Sequence, residues 1–398
     1  LTSAFPEIPE QAIARMVAGI DVIMYRPDEE LKRLARRAVE LGVDDLVSDD
    51  VEPAVVFGRM ADRGDAGAAW LAEWEKSSVP WFYVSTGDGM YHHHRSWRDD
   101  PRVPLAGLSR YVEQVRAGED LRRPTERLKQ ERAEVADRYR ALLATDEDRA
   151  AFDQMLGLCR TTFPYIEEHK FFCEHWFVTQ FFAKIREFGK VLVDFGVLED
   201  AEDVFQLQSH EVAQQLASVM LAWSAGSVPV GTDAVKALVA ERKSMLDALA
   251  KWPAPPALGP VPEALNDPAV KLLWGITSET IRTWVEAADS SSAQIQGLAA
   301  SPGVVEGVAR VLMSVNEIDQ IQAGEILVCP VTSPSWGPVF GKIKAAVSDS
   351  GGMMSHAAIV AREYGMPAVV GTGSATRRIE TGDRLRVDGD RGVVVILS

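Results

Sequence analysis

The hydrophobic pattern changes near Gly297, and no other feature of the sequence constrains the fold as strongly. Before this point, apolar residues recur every three or four positions, for example over residues 29–38 and 124–143, which is typical of amphipathic helices. After it, short β-rich runs alternate with glycines. We therefore expect a multidomain protein with a mainly α-helical N-terminal domain and a small α/β C-terminal domain.

Two segments with the composition of connections lie between these parts. Prolines cluster in residues 251–268, as in an extended surface connection, and a short polar run begins at Asp289, as in a linker. One more helix is expected between them, over residues 270–288. The expected division is a helical domain over residues 1–288 that includes the Pro-rich connection, a linker over 289–296 and the α/β domain over 297–398.

The α/β domain is expected to be compact, with six strands and two helices. The β-rich runs cover residues 304–311, 326–329, 345–347, 368–370, 384–387 and 393–396, and the helical patterns cover 336–342 and 356–364.

Composition narrows the class of protein. The formal net charge of −16 argues against a nucleic-acid binder, which needs a basic face. No apolar run is long enough to span a membrane, and the first residues lack the pattern of a signal peptide. We expect a cytoplasmic protein that binds neither nucleic acid nor a membrane.

The segment from Ser350 to Gly371 carries the most chemical information. It reads as a strand, a glycine turn, a helix, a turn and a strand. Gly351 and Gly352 allow a phosphate to approach the backbone closely, and Ser355 is placed to cap the helix that follows. His356 would then lie in the first helical turn, where the helix dipole favours a bound phosphate and a neutral, nucleophilic imidazole. The alternative is a histidine that only packs at a helix start.

The whole C-terminal part resembles the swivelling phosphohistidine domain of the phosphoenolpyruvate-utilising family, which includes pyruvate phosphate dikinase, phosphoenolpyruvate synthase and rifamycin phosphotransferase. The Gly-Gly-Met-Met-Ser-His block lies in the expected order with Ala-Ser-Pro-Gly-Val at 300–304, Gly-Glu-Ile-Leu-Val at 324–328, Thr-Ser-Pro at 332–334 and Val-Asp-Gly at 387–389. The resemblance implies covalent catalysis in which His356 carries a phosphoryl group. Thr332 and Arg362 are possible helpers by analogy, and structural roles in a turn and on a helix surface remain open for them.

A second resemblance concerns the helical part. Glu-Glu-His-Lys-Phe-Phe at 167–172, Arg-Glu at 186–187 and Asp-Val-Phe-Gln-Leu at 203–207 are similar to segments of the acceptor domains of such phosphotransferases, including two-subunit phenylphosphate synthases. By this resemblance, His169 or Glu168 would take the proton of an acceptor hydroxyl, and Arg186 would meet the phosphate. The alternative is that the aromatic side chains are core and the charges a solvated edge.

Other clusters of chemical side chains leave their roles open. The aromatic residues 81–83 could form a pocket wall or core, and His92, His93 and His94 could bind a metal or acceptor or form an exposed loop. A zinc site at His169, Cys173 and His175 is not expected, because on an α-helix His175 does not share a face with the other two. We therefore expect no metal in this chain.

The nucleotide site is expected on another polypeptide. Neither a P-loop nor an ATP-grasp pattern occurs in residues 1–288. The expected function is that of a phosphotransferase subunit in a heteromeric complex of aromatic-compound catabolism. An ATP-grasp-type partner subunit would bind ATP and Mg²⁺, and the acceptor would be a small aromatic hydroxyl compound such as phenol or cresol. The alternatives are a rifamycin-like antibiotic or other natural product as acceptor, and a phosphocarrier module without a small-molecule pocket.

Overall fold

The structure, a computed structural model, describes Ala12 and residues 15–48, 51–87, 91–251, 258–265, 267, 270–287 and 292–397. Helices form most of the described part before residue 288, and an eight-stranded sheet lies in the part after residue 292. The predicted helical first part and smaller α/β second part are both present.

The helical part is built from α-helices joined by short turns. The described α-helices are α1 (Arg26–Leu41), α2 (Pro53–Asp62), α3 (Asp65–Trp81), α4 (Arg102–Arg116), α5 (Thr125–Ala141), α6 (Asp146–His169), α7 (Val178–Asp194), α8 (Ser209–Ser224), α9 (Thr232–Ala250), α10 (Ser278–Ala287), α11 (His356–Tyr364) and α12 (Ala375–Arg378). Two π-helical segments cover Lys170–Phe177 and Val270–Trp274, and 3₁₀ helices cover Ile23–Tyr25, Asp44–Leu46, Ala201–Gln206, Val315–Gln320 and Pro334–Val339.

The sheet follows the predicted strands and adds two. Its strands are β1 (Gln294–Gln296), β2 (Leu298–Ser301), β3 (Val304–Val311), β4 (Ile326–Cys329), β5 (Ala345–Ser348), β6 (Ala368–Val370), β7 (Arg384–Asp388) and β8 (Val393–Ile396). Their spatial order is β1-β8-β7-β3-β4-β5-β6-β2. The pairs from β3 through β6 are parallel, and every other pair is antiparallel.

The parallel strands determine where the side chains of His356 and Thr332 lie. Every residue of β4, β5 and β6 is buried, as in parallel sheets covered on both faces. Strand β5 leads through α11 to β6, so His356, the first residue of α11, follows the carboxyl end of β5. Thr332 follows the carboxyl end of the neighbouring strand β4. Because the carboxyl ends of parallel strands meet at one edge, the two side chains come together there.

The predicted linker and last helix need correction. Residues 294–296, expected in a linker, form β1 and pair with β8 at the edge of the sheet. The helix expected over 270–288 is a π-helical turn followed by α10. This segment packs on the sheet domain, since the Trp284 indole N–H donates to the carbonyl oxygen of Gly371 over 3.0 Å, and a Cβ on Gly275 would lie 2.5 Å from the Gly351 carbonyl oxygen.

One hydrophobic core runs through both parts of the chain. It joins Leu31 of α1, Leu108 of α4 and Phe171 with Phe340 and Ala358 of the sheet domain, all of them buried. Helices α1 and α4 pack closely on each other, and α4 also contacts the 3₁₀ helices Val315–Gln320 and Pro334–Val339. The sheet domain is therefore docked on the helical domain through a continuous apolar contact.

Polar contacts fix the orientation of this docking. The Trp97 indole N–H donates to Ser335 Oγ over 3.0 Å, and Ser335 Oγ donates to the carbonyl oxygen of Ser85. The Tyr25 hydroxyl donates to Glu363 on α11 over 2.6 Å. Each of these groups is buried or nearly so, so its loss would leave an unpaired polar atom at the domain boundary.

Within the described residues, none of the helices combines the length and apolar character needed to cross a bilayer.

Gly107 in α4 should report on the docking. A methyl group there would lie 2.7 Å from Cγ of Pro338, a ring that cannot rotate away. We expect Gly107→Ala to lower the free energy of unfolding by about 1–3 kcal/mol because it overpacks the domain boundary. Gly157→Ala in α6, where a Cβ meets nothing within 4 Å, is the control and should stabilise by about 0.4–1 kcal/mol. Denaturant unfolding of both variants checks this, and equal effects would contradict the packing argument.

Candidate active site

His356 is held by Thr332. Thr332 Oγ1 lies 3.0 Å from Nδ1 of the His356 imidazole. The other face of the ring meets the buried Phe340 edge-on, with ring centroids 5.8 Å apart. If Nδ1 donates its proton to Thr332, the lone pair of a neutral ring lies on Nε2. In that tautomer Nε2 is the nitrogen with the free lone pair.

Ser355 does not cap the helix as the sequence predicted. It occupies the N-cap position, but its side chain makes no capping hydrogen bond, and its Oγ is buried without a hydrogen-bond partner among the described residues. The hydroxyl instead lies against Gly351, whose φ is 134°, and a Cβ at Gly351 would approach Ser355 Oγ to 2.8 Å. Gly351 is therefore required both for its backbone conformation and for this close approach.

The glycine amides are also engaged differently from the prediction. Gly352 N–H donates to the carbonyl oxygen of Leu273 over 2.9 Å, and Gly351 N–H donates to that of Trp274 over 3.3 Å. Both acceptors belong to the π-helical turn Val270–Trp274. In this arrangement the two amides bind protein carbonyls, so they offer no hydrogen bond to a phosphate.

A cavity of about 450 Å³ separates His356 from the helical domain. Its apolar walls include Met24, Phe163 and Ile359. The polar side chains on which the chemistry depends are Glu167, Lys170, Glu174 and His175 from the helical domain and Thr332 and His356 from the sheet domain. A largely apolar cavity with a few convergent polar groups is typical of a small-molecule site.

The cavity takes different residues of the 167–175 segment from those predicted. Glu168 and His169 are exposed and do not line it, with the His169 side chain 66% exposed. The inward positions recur every four residues, at Glu167, Phe171, His175 and Thr179, all of them buried. Glu167 lies in α6 and His175 in the π-helix Lys170–Phe177, so the inward positions continue from one helical segment into the other.

Lys170 is the cation that faces His356. Its Nζ pairs with Glu167 Oε1 over 2.8 Å, and both side chains line the cavity. The charge of Lys170 acts on the His356 ring strongly enough to shift its titration. A phosphoryl group on Nε2 would bring two negative charges into this space, and Lys170 is placed to offset them.

His356 is neutral in this arrangement. Burial is the first cause, and together with the charge of Lys170 and the neighbouring His175 it lowers the pKa of the imidazole from the ordinary 6.5 to about 3. Burial thus acts in the same direction as the helix dipole that the sequence suggested. A neutral ring keeps the lone pair that a nucleophile needs.

His175 has a fixed tautomer. The backbone N–H of Ser85 donates to its Nδ1 over 3.1 Å. A nitrogen that accepts a hydrogen bond carries no proton, so the neutral ring is protonated on Nε2. His175 therefore cannot take a proton on Nε2 while Nδ1 accepts this hydrogen bond.

The two predicted arginines lie elsewhere. Arg362 donates to the carbonyl oxygens of Ala300 and Met353 over 2.9 and 2.7 Å, and its burial lowers its pKa to about 10. It thus ties the glycine turn to β2 and does not line the cavity. Arg186 pairs with Glu202 over 2.7 Å, donates to the carbonyl oxygen of His92, and is likewise absent from the cavity wall.

The remaining clusters pack within the helical domain. Trp81 packs on Phe171 and Tyr83 stacks on Trp176, with ring centroids 5.8 and 5.1 Å apart, and neither lines the cavity. His92 stacks on Phe205 at 4.4 Å, and burial with the charge of Arg186 lowers its pKa. The part of the chain that the structure describes contains no group of three or more His, Cys, Asp or Glu side chains arranged to hold a metal.

The pH dependence of stability should reveal the neutral His356. The folded chain resists protonation at His356 down to about pH 3, whereas the unfolded chain takes up a proton near 6.5. Stability from this residue is therefore present above pH 6.5 and is lost as the pH falls toward 3. We expect wild type to lose stability over this range faster than His356→Asn, in denaturant titrations at several pH values. His169→Asn, at an exposed position, should keep the wild-type slope, and parallel wild-type and His356→Asn curves would contradict the assignment.

Comparison with known proteins gives a family match over the His356 segment. Residues 321–392, which include Thr332 and His356, match the family described as PEP-utilising enzyme, mobile domain. The resemblance inferred from the glycine and histidine block is thereby confirmed for this part of the chain.

Longer relatives extend over both parts. The chain is 30% identical over 306 residues to an uncharacterized phosphotransferase, YvkC, of Bacillus subtilis, covering 76% of this chain and 34% of that protein. It is 33% identical over 308 residues to a rifampicin phosphotransferase of Streptomyces sviceus, covering 76% and 32%. It is 30% identical over 373 residues to the chondramide synthase cmdD of Chondromyces crocatus, covering 92% and 9%. The chain thus spans about a third of the length of the first two relatives and 9% of the third.

Proposed function

We propose that this chain, whose residues 321–392 match the mobile domain of PEP-utilising enzymes, carries a phosphoryl group on Nε2 of His356 and transfers it to a hydroxyl group bound in the cavity between its domains. The observation that carries the proposal is the placement of a neutral His356, held at Nδ1 by Thr332, in the same largely apolar cavity as Lys170. A nucleophile, a compensating cation and an acceptor space then lie in one site.

The transfer balances without any further reactant. The acceptor oxygen attacks phosphorus, the P–N bond to Nε2 breaks, and its electron pair returns to the ring. The imidazole leaves as the neutral tautomer with its proton on Nδ1, where Thr332 Oγ1 accepts it. The proton of the acceptor hydroxyl must go to a base. We assign that role to Glu167, which is buried on the cavity wall, because His175 is fixed as an Nε2–H donor.

Lys170 supplies the charge stabilisation. In phosphoryl transfer the protein positions the groups and neutralises charge on the phosphoryl oxygens. Lys170 is within reach of both the His356 ring and Glu167, so its ammonium lies between the donor and the base. In an enclosed site such a charge is worth more than in water because the effective dielectric constant is low.

The acceptor we propose is the hydroxyl of a small aromatic compound such as phenol or cresol. The cavity of about 450 Å³ is largely apolar and lined by both domains, which suits a flat apolar ring that carries one polar group. The resemblance of residues 167–172 and 203–207 to the acceptor domains of phenylphosphate synthases supports the same class. The 33% identity with a rifampicin phosphotransferase favours an antibiotic or other natural product as the second candidate acceptor.

The phosphoryl donor we propose is ATP with Mg²⁺, bound by an ATP-grasp-type module on a partner chain. This rests on the resemblance of residues 297–398 to the swivelling phosphohistidine domain and on the divided architecture of the synthases that the helical part resembles. The partner would load His356, and the chain would then dock in the arrangement seen here to deliver the group.

Chemical loading of His356 tests the central step without the partner. Phosphoramidate, a reagent that phosphorylates imidazoles, should label the chain at His356, and mass spectrometry should find an acid-labile, base-stable label that is absent from His356→Asn. Addition of phenol, cresol or rifampicin should then discharge the label as the corresponding phosphate ester. A label that persists with every hydroxyl compound would favour a phosphocarrier module, and an unlabelled His356 beside labelled surface histidines would contradict the proposal.

Lys170→Met should slow discharge of the phosphorylated chain while leaving the label in place. We expect a loss of about 10²–10³-fold, as for removal of one stabilising group from an enclosed transition state. Lys184→Met is the matched control, since Lys184 makes the same i,i+3 ion pair of 2.8 Å with Glu187 on an exposed helix face. The measurement is the discharge rate of each variant, followed as loss of label from His356. Equal rates would remove Lys170 from the mechanism.

A further inference from the structure

Arg110 on α4 is a buried cation without a partner. Its side chain lies at the boundary of the two domains, and the residue is only 8% exposed. Among the described residues, no acceptor forms a hydrogen bond or ion pair with its guanidinium. Burial alone lowers the pKa of Arg110, although Tyr111, Tyr364 and Asp28 oppose that shift from a distance. An enclosed guanidinium in this state is costly unless an anion meets it.

The guanidinium borders a pocket of about 350 Å³ that adjoins the His356 cavity and shares Arg123, Glu363 and Tyr364 with it. Five basic and two acidic side chains line this pocket: Lys32, Arg110, Arg122, Arg123, Arg127, Asp120 and Glu363. The local excess of positive charge contrasts with the net charge of −16 for the whole chain. A basic, concave site in an acidic protein attracts anions selectively.

The other cations of the pocket already have partners. Lys32 pairs with Asp28 over 2.7 Å, and Arg123 pairs with Glu363 over 2.9 Å. These pairs offset each other's charge, so they do not need a ligand. Arg110 differs because its guanidinium lies beside Gly341, where a Cβ would lie 2.5 Å from its Nη2. Gly341 therefore provides room for the guanidinium while leaving its donors uncommitted.

Tyr364 completes the site from the other domain. It lies at the end of α11 and lines the same pocket. Within the described part of the chain its hydroxyl group has no hydrogen-bond partner. Its hydroxyl stays protonated, since burial raises its pKa to about 12. A hydroxyl donor from the sheet domain thus faces a guanidinium from the helical domain across one pocket.

We propose that this pocket binds a phosphate group, with the Arg110 guanidinium as its principal donor and the Tyr364 hydroxyl as a second. The planar fork of an arginine matches two oxygens of a phosphate, and the charge-assisted hydrogen bonds that result are among the strongest in proteins. Because Arg110 and Tyr364 belong to different domains, a phosphate held by both favours the docked arrangement over any in which the domains have separated. Arg110 does not line the His356 cavity, although Tyr364 borders both spaces, and the ligand of the Arg110 site needs no chemical change.

Calorimetric titration with inorganic phosphate, at an ionic strength held constant with chloride, tests the site. We expect one phosphate per chain for wild type, and an affinity at least about tenfold weaker for Arg110→Met, which loses the charge-assisted hydrogen bonds. Arg37→Met is the control, since Arg37 lies on the exposed face of α1 and pairs with Glu40 over 3.0 Å. Parallel titration with glycerol phosphate separates the two sources of the group. Tighter binding of the ester indicates an organic phosphate, and equal binding indicates free phosphate.

Thermal unfolding provides an independent readout. Without phosphate, Arg110→Met should melt no lower than wild type, because it removes an unpaired buried charge. With millimolar phosphate, wild type should melt higher and Arg110→Met should not change. Gly341→Ala, which retains the charge but displaces the guanidinium, should bind phosphate more weakly and serves if Arg110→Met fails to fold. Equal affinities of wild type and both variants, or no binding by wild type, would overturn the proposal.

Discussion

The docking of the sheet domain on the helical domain is the contact on which the rest of the site depends. Ala357, Ala358 and Ala361 are buried on α11, and their small side chains let this helix lie close to β2, β5 and β6. The docking forms the cavity at His356 and brings Lys170 toward the ring. Without it, the imidazole would be solvated and would titrate near its ordinary value. Docking therefore creates both the acceptor space and the neutral nucleophile in one step.

The C-terminal domain was the more predictable part of the chain. Its six expected strands are present, because buried parallel strands leave an unambiguous record of apolar runs between glycines. Thr332 and His356 meet because each follows the end of a parallel strand, a rule that needs no knowledge of side-chain packing. The short edge strands β1 and β2 were missed because three or four residues of mixed polarity carry too little pattern. The roles of Ser355 and Arg362 depend on contacts with Gly351 and Met353, which only the folded chain defines.

The helical half of the site was less predictable for a local reason. A segment rich in aromatic and charged residues could be placed near the acceptor, but the face it presents depends on the helix period. In the segment that contains the π-helix, Glu167 and His175 line the cavity, and Glu168 and His169 do not. Lys170 was not assigned a role from the sequence, although it lies inside the 167–172 motif. Its importance follows from His356, with which it shares the cavity at the domain boundary. Arg186 has a similar composition around it, yet Glu202 and His92 hold it in a separate cluster.

The His356 cavity and the Arg110 pocket, both of which adjoin α11, differ in the charge that they carry when empty. In the His356 cavity, the imidazole is neutral and Lys170 is paired with Glu167, so the empty site carries little net charge and an incoming phosphoryl group is balanced by the lysine. In the second pocket, Arg110 is charged and unpaired, so a free anion stabilises the pocket. The first arrangement suits a group that must leave again, because neutral imidazole is a good leaving group once the acceptor attacks. The second suits a ligand that stays bound and holds the domains together during the proposed transfer. The two proposed phosphate sites therefore need not compete for the same phosphoryl group.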